Sequence, residues 1–187
     1  MSYHIDETFD KVDFTGGLEK GDYENCSFLN CDFSNSDLSN IRFDQCEFVN
    51  CNLSMAILGQ TAFRKISFDN CKLLGLQFSN CNKLGLAIRF TDCILNHCGF
   101  QYLQLKLLKF QNCKLVEVDF SESDLSGVLF DQCDLSGATF DRTNLEKADL
   151  RTSINYLINP EINKVKKAKF SYPAVLGLLT KYDVVVE

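Results

Sequence analysis

From Gly21 to Thr152 an apolar residue returns at every fifth position, and this regularity constrains the fold more than any other feature of the chain. One run reads Tyr23, Phe28, Phe33, Leu38, Phe43 and onward to Phe78; a second, displaced by two residues, runs Phe90, Leu95, Phe100, Leu105 and onward to Leu150. Two positions before nearly every one of these stands a small or branched residue, such as Cys26, Cys31, Ser36, Ile41, Ala138 or Ala148. A helix returns to one face every 3.6 residues and a strand every two, so neither puts this set on one side. A repeat architecture does. If each five-residue unit forms one side of a square coil, the Phe/Leu position (i) and the small position (i−2) both point inward. Four units then close a turn, and turns stack at the strand spacing of about 4.8 Å. The positions left outside are polar, as in Asp32, Ser34, Asn35, Asp37, Ser39 and Asn40. Asn or Gly recurs at i+2, where four corners per coil need turn-tolerant residues.

Three stretches carry a resemblance: CDFSN SDLSN (31–40), CDLSG ATFDR (133–142) and ADLRT (148–152) are similar to the A(D/N)LxX consensus of the pentapeptide repeat family. The resemblance implies an all-β fold, a right-handed quadrilateral parallel β-helix. The period leads us to expect about six to eight coils.

The flanks depart from the period. Residues 1–20 read as an irregular capping coil, with Phe9 and Phe14 five apart, Val12 between them, and a one-residue slip at Gly16-Gly17. Residues 21–152 form the β-helix, interrupted near 82–87, where twelve residues rather than ten separate Phe78 from Phe90. That excess predicts a small projection at Asn82 to Gly85. Residues 153–187 are a capping or dimerisation tail, in which Pro173 to Tyr182 reads as a short C-terminal helix and Asp183 to Glu187 as a strand.

Sixteen Phe and no Trp suit a narrow column in which one ring stacks on the next. All ten cysteines fall on the inward i−2 position, so Cys31, Cys51 and Cys71 stack on one side, as do Cys93, Cys113 and Cys133. A straight ladder does not offer the four convergent ligands of a zinc site, so the thiols read as small buried hydrophobes, with no metal and no cofactor. Reduced thiols in this number point to a cytoplasmic protein. The N-terminus has no apolar stretch of signal-peptide type, and no run is long enough to span a membrane. The two histidines, His4 and His97, stand beside no evident nucleophile and read as exposed surface residues, so no enzyme is expected.

Charge is banded along the rod. Residues 21–60 carry a net −5, residues 61–116 a net +6 and residues 117–149 a net −7, within a total of −6. That total argues against direct binding of nucleic acid. The tail, with Ile158-Asn-Pro-Glu-Ile-Asn163 before a short helix, resembles the C-terminal segment of gyrase-protecting pentapeptide repeat proteins of the quinolone-resistance and microcin-immunity types. The resemblance implies a rod that mimics DNA, binds DNA gyrase or topoisomerase IV, and pairs end to end as a homodimer. On that reading the partner-binding residues are Asp119, Glu122, Asp124, Asp131, Asp134, Asp141 and Asp149. The dimerisation set is Val175, Leu176, Leu178, Leu179, Tyr182, Val184 and Val186. A cytoplasmic protein-interaction scaffold of unknown partner is the alternative.

Overall fold

A computed structural model describes residues 2–106 and 108–185. Among the described residues eleven short strands follow one another: β1 (Ser2–Ile5), β2 (Thr8–Asp10), β3 (Gly21–Glu24), β4 (Ser27–Leu29), β5 (Arg42–Asp44), β6 (Glu47–Val49), β7 (Ala62–Arg64), β8 (Ile66–Asp69), β9 (Ile88–Thr91), β10 (Lys109–Gln111) and β11 (Phe130–Asp131). They build two all-parallel sheets, β1-β3-β5-β7 on the first side of the rod and the seven-stranded β2-β4-β6-β8-β9-β10-β11 on the second. The third and fourth sides are columns of single parallel bridges, such as Asp32↔Asn52↔Lys72 and Gly99↔Asp119↔Thr139. Bridges also resume on the first side beyond the interruption, along Gln104↔Asp124↔Asn144↔Lys164. The chain is thus a right-handed, four-sided parallel β-helix.

The packing follows from the five-residue register. Phe28, Phe48, Phe68, Phe90, Phe110 and Phe130 form one column, with stacked centroids 4.7 to 5.5 Å apart. Rings on adjacent sides meet edge-on, as Phe110 and Phe120 do at 6.1 Å, so the interior is a braid of aromatic contacts rather than four separate stacks. Polar residues at i−2 are satisfied within the wall: Ser36, Thr61, Thr143 and Ser153 donate to backbone carbonyls at 2.7 to 3.0 Å. At the corners Asn25, Asn30, Asn35 and Asn40 take φ of 53 to 62°, the left-handed conformation that asparagine accepts.

The interruption lengthens a coil. Ile66 pairs with Ile88, a step of 22 residues where Phe48 to Phe68 takes 20. The extra residues form a turn in which the Asn82 side chain accepts from the Leu84 amide at 3.0 Å, leaving Leu84 72% exposed. Because the register shift is absorbed on one side, the two cysteine ladders join. Cys31, Cys51 and Cys71 continue through Cys93, Cys113 and Cys133 as one column, each amide of the first two reaching the next thiol sulfur at 3.4 Å.

In the first coil the structure corrects one expectation. His4 is not a surface histidine but occupies the inward position, its ring stacked on Tyr23 at 4.5 Å and 5°. Its Nδ1 meets Glu7 at 3.0 Å. At the other end, the helix expected over 173–182 is present as two 3-10 segments, Ala174–Leu178 and Thr180–Tyr182. Gly177 lies so close to the Tyr156 carbonyl that a β-carbon would clash with it. Its own carbonyl accepts from the Ile158 amide at 3.3 Å. Asp183 to Val185 are a turn and irregular chain rather than the expected strand.

Candidate functional site: the acidic band and the tail

At i−1 the repeat favours Asp or Asn, and the structure gives the reason. The carboxylate of Asp119 accepts from the Ser121 amide at 2.8 Å, Asp124 from Ser126 at 3.0 Å and Asp134 from Ser136 at 3.1 Å. These are Asx turns that hold each corner. The acids of the band are therefore anchored by the fold before any partner is considered.

Counting around the coil distributes the seven candidate carboxylates over all four sides. Asp119 and Asp141 lie on the fourth side, Glu122 on the corner beyond it and Asp124 on the first side. These four form one group. Asp131 on the second side and Asp134 on the third flank a different corner, and Asp149 stands further along the second side. Six are half-buried, and only Glu122 is exposed.

Cations are interleaved with them. Arg142 bridges Glu122 at 2.7 Å and Asp141 at 3.2 Å, and Lys106 meets Asp124 at 3.0 Å. Asp149 takes a two-pronged contact from Arg151 at 2.8 and 2.9 Å, with Lys169 at 3.5 Å. The Arg151 hydrogen bond, outweighing burial, holds the Asp149 carboxyl down at about 2. Burial acts against Asp119, Asp124 and Asp134, but bonds from their serine partners prevail and leave all three below the usual carboxylate range. Asp119, Asp131 and Asp134 have no cation within ion-pair distance among the described residues.

The tail folds over the last coils. Val175, Leu176 and Leu178 are half-buried, and Leu178 packs on the core. Leu179, Tyr182 and Val184 face outward at 40, 44 and 54% exposure, joined by Tyr172 and Val185. The set that sequence groups together is thus divided between a cap and an outer apolar surface, with Val186 outside the described residues. Tyr182 and Lys181 both reach Glu161, fastening the tail to the rod.

All ten thiols are buried and free, and desolvation pushes Cys46 and Cys98 up to about 12. Among the described residues no three metal-ligating side chains converge, and no helix is long and apolar enough to cross a membrane. His97 is an exposed corner residue paired with Glu117 at 3.1 Å.

Parallel ladders on four sides, corners in the left-handed conformation and a filled aromatic column define a repeat solenoid. The pentapeptide repeat region model matches residues 22–89 and 86–150, and the chain belongs to the pentapeptide repeat family. Among solved structures it is similar to a trypsin-treated form of QnrB1, a plasmid-mediated fluoroquinolone resistance protein. That match has 19% identity, covers 99% of this chain and 97% of the other, and has a TM-score of 0.58. It is also similar to HetL, a pentapeptide repeat protein involved in heterocyst differentiation regulation from the cyanobacterium Nostoc sp. Strain PCC 7120. Here identity is 16%, coverage 90 and 84%, and the TM-score 0.64. No curated protein matches this chain.

Proposed function

We propose that this chain is a non-enzymatic, cytoplasmic acidic rod that binds DNA gyrase or topoisomerase IV in place of duplex DNA and protects it from quinolone or toxin poisoning. The observation that carries this reading is the band of net −7 over residues 117–149, followed by a tail that exposes Leu179, Tyr182 and Val184 near its end, beyond the exposed Lys164, Lys166, Lys167 and Lys169. A twofold pairing through Leu179, Tyr182 and Val184 would set two such bands about one centre, a polyanion of the kind a DNA-binding saddle attracts. The likeness to QnrB1, a fluoroquinolone resistance protein, supports the same reading. A supercoiling assay with purified gyrase, with and without a quinolone, tests it. The rod should inhibit or rescue supercoiling at low salt, and the effect should fade steeply as salt is added. No effect at low salt would end the proposal.

A second reading, an interaction scaffold with another partner, is favoured by the ion pairs that engage Glu122, Asp124, Asp141 and Asp149 within the rod. In that case the projecting Asn82 to Gly85 turn, with Leu84 at its tip, is the contact. Substitutions there, and not in the acidic band, should abolish capture of the partner.

A further inference from the structure

Two irregularities that the acidic-rod reading leaves unused meet on the second side of the rod. One is the long coil. Where the preceding coils place Asn25, Gln45 and Lys65 at the corner between the first and second sides, this coil places Ala87, whose carbonyl accepts from the Ile66 amide at 3.0 Å. The short side chain leaves a notch of about 280 Å³, bordered by Lys65, Ser67, Ala87, Arg89 and Lys109.

The other irregularity is the charge around it. Arg89 and Lys109 are in direct register on adjacent strands, one strand spacing of about 4.8 Å apart. Like charges so placed destabilise a sheet. Elsewhere Asp22 relieves Arg42, Asp124 relieves Lys106 and Glu122 relieves Arg142. Among the described residues Lys65, Arg89 and Lys109 have no carboxylate within ion-pair distance, and none lines the notch. Along their own column the nearest acids are Glu47, two coils before Arg89, and Asp149, two coils beyond Lys109 and already engaged by Arg151.

We propose that this notch is a binding site for a diphosphate group. Two cations one strand apart suit two linked phosphoryl groups, with the planar Arg89 fork on one and Lys109 on the other. Lys65 closes the rim, and the Ser67 hydroxyl adds a donor. Among the described residues no aromatic side chain borders the notch, so the ligand is held by its phosphates and not by a stacked base. The acidic bands on either side repel a long polyanion laid along the rod and leave a small anion as the ligand that fits.

Isothermal titration of the full chain with inorganic diphosphate at low salt tests the assignment. Wild type should bind saturably with one site per chain. Arg89→Gln and Lys109→Gln should each weaken binding about tenfold, the scale of one charge-assisted hydrogen bond. Lys72→Gln and Lys114→Gln, on the neighbouring side, should change it less than about twofold. Ala87→Gln keeps every charge and fills the notch, and should abolish binding. The proposal is overturned if there is no saturable binding, if all four cation variants weaken it equally, or if Ala87→Gln binds as wild type. It is equally overturned if a short DNA duplex displaces the diphosphate and loses affinity in every cation variant, which would make the belt a general polyanion surface.

Discussion

Replacing Phe110 by alanine, set against the same change at Phe9, measures how far the rod's stability rests on stacking between coils. Phe110 is 1% exposed and lies between Phe90 and Phe130, both at 5.2 Å, with Phe100 and Phe120 edge-on at 6.0 and 6.1 Å. A buried Phe→Ala change costs about 3–5 kcal/mol, and the flanking aromatic pairs place this one near the top of that range. Phe9 is half-buried and stacks on one side only, against Phe28 at 4.9 Å, so its loss should cost about 2 kcal/mol. The total stability of a domain is only about 5–15 kcal/mol. In a linear array an internal breach also uncouples the coils on either side of it. Urea denaturation followed by far-UV circular dichroism should therefore show for Phe110→Ala a lower midpoint and a shallower transition than for Phe9→Ala. Equal losses at the two sites, or a loss below about 2 kcal/mol at Phe110, would refute the nearest-neighbour account.

Phe120→Asp should leave no folded protein in the same measurement, because an unpaired charge would stand between Phe100 and Phe140, each 5.4 Å away. Asp124→Asn and Asp134→Asn should keep the melting temperature within about 2 °C, since Asn52 and Asn144 already make the same turn. Combined with Asp131→Asn, they should weaken any gyrase binding seen in a pull-down. Asp149, Asp134, Asp124 and Asp119 all have carboxyls lowered by folding, so their stabilisation is complete above the unfolded value near 3.8 and is lost as pH falls below it, for Asp149 as pH approaches about 2. Acid unfolding followed by circular dichroism should begin below about pH 4, and Asp149→Asn should flatten the lower part of that curve. Gly177→Ala, which drives a methyl group onto the Tyr156 carbonyl, should release the tail and lower the melting temperature.

The fold was legible because every coil repeats one physical problem: Phe or Leu at i, a small residue at i−2 and a turn former at i+2. His4 escaped that reading although its signal was present, for it stands five residues before Phe9 and shares its phase. The work of the i−1 aspartates was also in plain text, as Asp followed two positions later by Ser at 32, 37, 119, 124 and 134. Charge totals by segment concealed what the coil does with them. A run of acids in sequence winds around four sides, so the seven candidate carboxylates between 119 and 149 divide into a group of four, a pair and Asp149 apart from both, interleaved with Arg142, Lys106 and Arg151. The repeat runs on into the tail as far as Phe170, with Lys164 bridged to Asn144 and Lys169 to Asp149 and with Val165 and Phe170 on the core, although their neighbours in sequence hide the phase; beyond it the close approach at Gly177 depends on a tertiary contact that no local pattern encodes.

The register of the ladders also governs how the rod comes into being. Partners in the bridges are 20 residues apart almost everywhere, as in Asn52↔Lys72 and Asp124↔Asn144, and nothing in the column requires the ends of the chain to meet. A mean separation near 20 in 187 residues gives a relative contact order of about 0.11, within the range of helical bundles rather than of β-sandwiches. Each new coil closes on the open edge of the one before it. A chain emerging from the ribosome can therefore lay down its rod in the order in which it is translated, each aromatic ring finding the ring already in place.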